Sequence, residues 1–324
     1  VILGMTGTFM DIVHRSVMAE EAFHYLSPAL EKGLLVDCTL GEGGHSELFL
    51  SRLPGCRIVG LDADEKILEV ARQRLAPFGE RVRLFNTWFN VFFRDYPLGD
   101  ERPDAVLFDL GISVFHYERS GRGFSFREDE PLDMRLEAHL EQSAADIINT
   151  YPEKELADLI FRFGEERLSR RFASAIVARR QSKPFTTTKE LEEVIWTASP
   201  QSYRHGRIHP ATRTFQALRI AVNGELARLE SALGDAFARL RPGGMMGVIS
   251  FHSLEDRIVK HFFLDKKKGC ISSSGAPIDS DRGVTAAEIL TKKPLRPTEE
   301  EVRGNAPSRS AKFRVVRKLI DEDR

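Results

Sequence analysis

The chain has 324 residues and a mass of 36.6 kDa, with 42% hydrophobic and 29% charged residues and a formal net charge of −1. That length exceeds one compact core and predicts one large domain carrying an insertion, or two domains. No apolar stretch approaches the roughly 18–20 residues of a membrane span, and near-neutrality confines any nucleic-acid surface to a local patch.

Residues 1–13 open apolar but lack a basic segment, and they read as a disordered leader. Cys38, Cys56 and Cys270 lie far apart without ligand spacing, which predicts neither a disulfide framework nor a structural metal and fits a reducing cytoplasm. In chain order, 34–40 reads as a strand and 46–53 as a helix. Residues 57–62 (RIVGLD) form a second strand, and 65–75 a helix with Ile67, Val70, Ala71 and Leu75 on one face. Strands follow at 82–86 and 104–110. From 115 to 209 only helical signatures appear, at 153–163, 166–180 and 188–195, the last capped by threonines. A long helix is expected over 211–240, closed by Arg241-Pro242-Gly243-Gly244, then a strand at 245–251, a helix at 254–264, a polar loop over 265–310 and a last strand at 311–319. Strands alternating with helices predict a mainly parallel, doubly wound α/β sheet. Residues 14–115 and 210–324 would build it, and 116–209 would be an all-helical insertion of about 90 residues.

The loop "DCTLGEGGHSE" (37–47) joins the first strand to the first helix of this pattern. It lacks the lysine of a phosphate-gripping loop, and Ser46 stands where a dinucleotide fingerprint needs its last glycine. Asp62 follows Gly44 by 18 residues, where an acid hydrogen-bonds ribose hydroxyls. That geometry suits NAD and S-adenosylmethionine alike. The latter tolerates an incomplete fingerprint because it has no pyrophosphate, and its sulfonium favours nearby acids. Asp37, Asp62 and Asp109 are all expected at the carboxyl edge of the sheet.

Four more stretches, "RGFSFREDEPLDMR" (122–135), "HPATRTFQALRIAVNGEL" (209–226), "PGGMMGVISFHSLEDRIVK" (242–260) and "SRSAKFRVVRK" (308–318), occur with "DLGIS" (109–113). In that order, from His14 to Lys318, the chain resembles the bacterial 16S ribosomal RNA cytosine-N4 methyltransferases. The resemblance implies a Rossmann-like class I methyltransferase fold, S-adenosyl-L-methionine as cofactor, and a cytosine in the decoding region of 16S rRNA as target. It implies cofactor contacts from Gly43, Gly44, His45, Asp62, Phe89 and Asp109. His116 stands where the family has a glutamine. Ser16 and Asn305-Ala306-Pro307 also depart from the family pattern, at His-x-Pro-Val and Asn-Pro-Arg.

Asp109 is the candidate acceptor for the target amine. Phe124 and Phe126 either stack on an extruded base or pack the insertion against the sheet. His252, Glu255 and Asp256 have a metal-like spacing, but Ser253 followed by Asp256 is also a helix-capping pattern, and no metal is expected. His252 is then expected at the border of a substrate pocket. Between residues 161 and 220 twelve Lys/Arg stand against five Asp/Glu, predicting an RNA-facing surface with Arg170, Arg171, Arg179 and Arg180, or else a solvated face of paired charges. The expected partner is 16S rRNA in the small subunit, met by a monomer or homodimer. Competing readings are a methyltransferase for a small molecule or protein, a non-catalytic ribosome assembly factor, and, weakest, an NAD-dependent oxidoreductase.

Overall fold

The structure, a computed structural model, describes residues 15–268 and 285–321. The leader, Cys270 and residues 269–284 of the expected polar loop lie outside the described residues. Seven strands form one sheet: β1 (Leu34–Asp37), β2 (Arg57–Asp62), β3 (Val82–Asn86), β4 (Ala105–Asp109), β5 (Met245–Ser250), β6 (Ala287–Ile289) and β7 (Lys312–Lys318). Their order is β3-β2-β1-β4-β5-β7-β6. The first five run parallel, and β7 enters antiparallel between β5 and β6. The order reverses between β1 and β4, the point where open α/β sheets leave a crevice beyond their carboxyl ends.

Alternation along the strands sorts the core into two layers. Leu34 and Val36 of β1, with Val106 and Phe108 of β4, face one cluster. Leu35, with Ala105 and Leu107, faces the other. Every residue of β1 and β5 is buried, as expected for strands covered by helices on both sides. Each fully buried large side chain contributes about 1.5–3 kcal/mol.

Before the insertion the helices are α1 (Ala19–Leu26), α2 (Gly44–Arg52), α3 (Glu65–Leu75) and α4 (Phe89–Asp95). α5 (Val114–Glu118) leads into the insertion, which adds α6 (Ala144–Thr150), α7 (Glu153–Gly164), α8 (Ser169–Arg180), α9 (Thr188–Ala198) and α10 (Gln201–Arg204). After it come α11 (Thr212–Asn223), α12 (Glu225–Arg239), α13 (Ser253–Lys268) and α14 (Glu299–Gly304). A third cluster, containing Phe124, Ile148, Ile160, Phe172 and Leu191, forms the insertion's core and runs on past His209 through Phe215, Leu218 and Val222 of α11.

Several expectations need correction. β1 stops at Asp37 rather than residue 40: past it, Cys38 N–H donates to Leu107 O of β4 and Leu40 N–H to Leu61 O of β2 on the opposite side. The helix expected over 211–240 is two helices, broken at Gly224 with φ of 60°, a left-handed conformation that ends α11. Asn223 holds the break by accepting from Leu136 N–H and donating to Met134 O. The stretch 265–310 is not all loop: it contains the end of α13, β6 and α14. The Ser253–Asp256 cap does not form. β5 ends at Ser250, so Glu255 accepts from the N–H groups of Phe251 and His252 instead. Asp256 turns to Lys312 and Arg314 of β7.

Candidate functional site

A cavity of about 940 Å³ opens between the carboxyl edge of the sheet and the insertion. One end is walled by Gly41, Gly44, Asp62, Trp88, Phe89 and Asp109. The other is walled by Phe126, Phe215, Gln216, Arg219, His252 and Glu255.

The glycines of the 37–47 loop have distinct reasons. Gly43 has φ of +82°, and a Cβ there would also press on Leu75 of α3 at 3.2 Å. At Gly44 an added Cβ would lie 2.2 Å from Ser16 Oγ, so the departure at Ser16 is a side chain seated directly on the loop. Gly41 has φ of +53° and open space around it. Asp62 fixes this loop: its Oδ2 accepts from Gly41 N–H at 2.9 Å and its Oδ1 from Asp64 N–H at 2.9 Å. Each oxygen retains a lone pair for a hydroxyl donor. Burial raises the Asp62 pKa above the usual carboxylate value, against the pull of these bonds.

At the end of β4, Asp109 Oδ2 lies 3.3 Å from His45 Nε2, and its backbone N–H donates to Thr39 Oγ1 at 2.7 Å. Asp109 Oδ1 and His45 Nδ1 are buried without partners. Asp37, at the end of β1, is also buried; it accepts from Ser46 Oγ at 2.7 Å, and burial pushes its pKa up to about 6. The three acids therefore cluster at the sheet edge as the sequence predicts, though Asp37 stays beneath the loop.

His116 lines the cavity, but both ring nitrogens are committed. Nδ1 meets Ser113 Oγ at 3.0 Å, and Nε2 meets Asp64 Oδ2 at 3.0 Å. Asp64 also pairs with Arg122 of the insertion. Desolvation alone would raise its pKa; the His116 and Arg122 partners hold it down to about 2. Phe124 is buried against the His116 ring, at 5.5 Å, while half-buried Phe126 sits between His209 and Phe215. Phe89 packs edge-on to Phe108 at 5.4 Å and lines the same end as Trp88.

His252 Nε2 lies 3.1 Å from Glu255 Oε1, within ion-pair reach but misaligned for a hydrogen bond. Among the described residues, Glu225, His252 and Glu255 bring ligand-type atoms within 4.8 Å of one another. Arg219 already forks both Glu225 oxygens, at 2.8 and 2.9 Å, so a guanidinium supplies the positive charge there. Nothing in the sequence pattern announces this pair, six residues apart; the break at Gly224 brings them together. Asp64 was also missed, although its place before α3, accepting from Lys66 N–H, is a recognisable cap.

Residues 11–319 match the MraW methylase family. The chain belongs to the MraW methylase family. It is 56% identical over 310 residues to the ribosomal RNA small subunit methyltransferase H of Treponema denticola, covering 96% of this chain and 98% of that protein. The protein of the same name from Carboxydothermus hydrogenoformans is 46% identical over 311 residues, covering 96% and 99%. Among solved structures, an rRNA methylase from Streptococcus thermophilus superposes with a TM-score of 0.43 at 12% identity, covering 95% and 99%.

For a member of the MraW family the cofactor to test is S-adenosylmethionine, and the cavity's donor set fits it. Asp62 offers acceptors for ribose hydroxyls, and Phe89 and Trp88 offer apolar ring surface. The unpartnered Asp109 Oδ1 offers negative charge toward a sulfonium. The four arginines divide. Arg179 donates to Lys183 O at 2.6 Å and lies over Phe185, and Arg180 donates to Ile148 O at 2.7 Å. Arg170 and Arg171 are exposed and have no hydrogen-bond or ion-pair partner among the described residues. No described helix is long and apolar enough to cross a membrane.

Proposed function

We propose that this chain transfers a methyl group from S-adenosylmethionine to the exocyclic N4 amine of a cytosine in the decoding region of 16S rRNA, in the cytoplasm, with the 116–209 insertion as its RNA-recognition unit. The observation that carries this reading is the buried, unpartnered Asp109 Oδ1 on a cavity wall it shares with the glycine loop. Family membership and the names of the relatives support the RNA target.

Gly43, Gly44, Asp62 and Phe89 would hold the cofactor, which when bound supplies an electrophilic methyl carbon on sulfur. His116, with both nitrogens occupied, would contribute shape at this wall. A cytosine amine is a weak nucleophile because its lone pair delocalises into the ring. By accepting from one amine N–H, Asp109 Oδ1 localises that pair on nitrogen, and it then takes the proton the methylated amine must lose. Orientation in the cavity supplies much of the remaining acceleration. Phe126 is the ring we assign to the extruded base; Phe124 packs the insertion instead. His252 and Arg219 border the base, and Arg170 and Arg171 meet phosphates.

The test is incubation with methyl-labelled S-adenosylmethionine and small ribosomal subunits lacking their cytosine methylation, followed by nucleoside analysis. Label in N4-methylcytidine at one site is expected. Label in another nucleoside, or none from protein that binds the cofactor by calorimetry, would sink this reading.

A further inference from the structure

The glycine loop is expected to use its histidine on the cofactor, yet the side chain of His45 crosses the switch point to the end of β4. Its ring is 6% exposed, and Nε2 stands 3.3 Å from Asp109 Oδ2, a carboxylate whose side chain is 17% exposed. Thr39 of the same loop fixes the Asp109 backbone. The carboxylate is therefore held at one oxygen and at its main chain, while Oδ1 has no protein partner.

His116, on the cavity wall, provides a contrast with His45, which is buried beneath the loop and does not line the cavity. Both ring nitrogens of His116 are satisfied, through Ser113 and Asp64. His45 has one bond, directed at the acid, and a buried Nδ1 without a partner.

We propose that His45 is a positioning residue for methyl transfer: it holds Oδ2 of Asp109 through its Nε2–H so that Oδ1 alone is presented to the target amine. This rests on the reading of Asp109 given above. In the step, the N4–carbon bond forms as the carbon–sulfur bond breaks, and sulfur keeps the electron pair. The amine proton passes to Asp109 Oδ1 and leaves to solvent after product release. His45 keeps its Nε2 proton throughout, so the imidazole neutral at Nδ1 is the competent form.

The groups facing His45 are Asp109 on β4, Asp37 at the end of β1 and Glu301 on α14. Burial disfavours the imidazolium, but the bond to Asp109 and these three charges outweigh it and raise the pKa above the usual value. A charged His45 makes the Asp109 carboxylate a weaker acceptor. Single-turnover rates with saturating cofactor should therefore rise with pH through the His45 titration and then level.

The experiment compares wild type, His45→Ala and His45→Gln on small subunits, with cofactor affinity by calorimetry and the imidazole titration of ligand-free protein by NMR. His45→Gln places an amide N–H near the Nε2 position but cannot titrate. The alanine variant should lose about ten- to a hundred-fold in the single-turnover rate while keeping its cofactor affinity. The glutamine variant should recover most of that rate and lose the acid limb of the pH profile. In ligand-free protein, Asp109→Asn should lower the His45 pKa. The proposal is overturned if His45→Ala weakens cofactor binding with its rate at saturation intact. It is equally overturned if the glutamine variant keeps the acid limb, if folded glutamine variant is no faster than alanine, or if Asp109→Asn leaves the imidazole titration unmoved. Wild-type protein that forms no N4-methylcytidine would remove the functional reading itself, a result separate from an active wild type indifferent to His45.

Discussion

Across the 116–209 insertion, Arg122 Nε is the one buried side-chain polar atom without a partner among the described residues. Over 37–47 at the sheet edge, Asp37 Oδ1, Glu42 Oε2 and His45 Nδ1 have none, and Asp109 Oδ1 beside them makes a fourth. The insertion satisfies its helix caps and its buried Glu166 from within. Ser143 with Asp146 and Thr187 with Glu190 form reciprocal caps. Buried Glu166 accepts from Leu168 N–H at 2.8 Å and Tyr203 O–H at 2.7 Å. Unsatisfied buried groups cost stability, so where several gather at one edge they mark a surface built for something other than folding.

The sharpest break of that contrast is Asp109→Asn. An amide cannot take the amine proton, and turnover should fall by about 10²–10³-fold, the scale of removing one preorganised polar group from a reacting centre. Turnover is read at saturating S-adenosylmethionine, because losing the charge offered to the sulfonium should also weaken cofactor binding, and thermal stability should stay level or rise. Full turnover by this variant would show that the orphaned oxygen has no part in transfer.

In the insertion the same kind of change should act the other way. Glu166→Ala strands a backbone N–H and a phenol in the interior and should cost about 2–4 kcal/mol of unfolding free energy. Affinity for S-adenosylmethionine in the folded fraction should be unaltered. Urea denaturation with calorimetry checks both, and a weakened cofactor site would show that the two regions are not separable.

Between the regions stands Asp64, tied to His116 and Arg122. Its folded pKa of about 2 lies below that of the unfolded chain, so its stabilisation is fully present above the unfolded value near pH 4 and is lost as the pH falls toward 2. The gap corresponds to about 2 kcal/mol. Asp64→Asn should be less stable than wild type by that order at pH 6, and the difference should shrink as acid is added. A difference independent of pH would mean that packing, not charge, joins the insertion to the sheet here.

How much of this was legible beforehand follows from the range of the interactions. β2, β3 and α3 were readable to the residue because an apolar run and the helical spacing of Ile67, Val70, Ala71 and Leu75 are local signals. Asp62 and Asp109 at the sheet edge followed from strand ends, and Asp37 from its place before the glycine loop. The break at Gly224 was not legible, since helical periodicity continues on both sides and only the contacts of Asn223 with Met134 and Leu136, far away in sequence, reveal the turn. For the same reason Arg219 counts in the sequence only among the basic residues of 161–220, with nothing to pair it with Glu225. The capping at Phe251 and His252 was misread because β5 ends one residue before the expected place, which turns Asp256 toward β7. Composition could count the arginines of the insertion but not separate the anchored from the free.

That separation yields the smallest effect expected. Arg179 and Arg180 donate to main-chain carbonyls inside the insertion, so replacing both by alanine should cost about 1–3 kcal/mol of stability while leaving the salt slope of RNA binding nearly unchanged. Arg170 and Arg171 lie at the start of α8, exposed and without partners among the described residues. Removing that pair should leave stability within about 0.5 kcal/mol of wild type. If both meet phosphates of single-stranded RNA, the slope of log affinity against log salt should drop by about 1.4, near 0.7 per released contact. Titrations of each double variant at several salt concentrations decide the matter. A slope lowered by Arg179 and Arg180 instead would mean that those two leave their carbonyls to meet the RNA, and that the insertion's satisfied interior extends less far toward its surface than its hydrogen bonds imply.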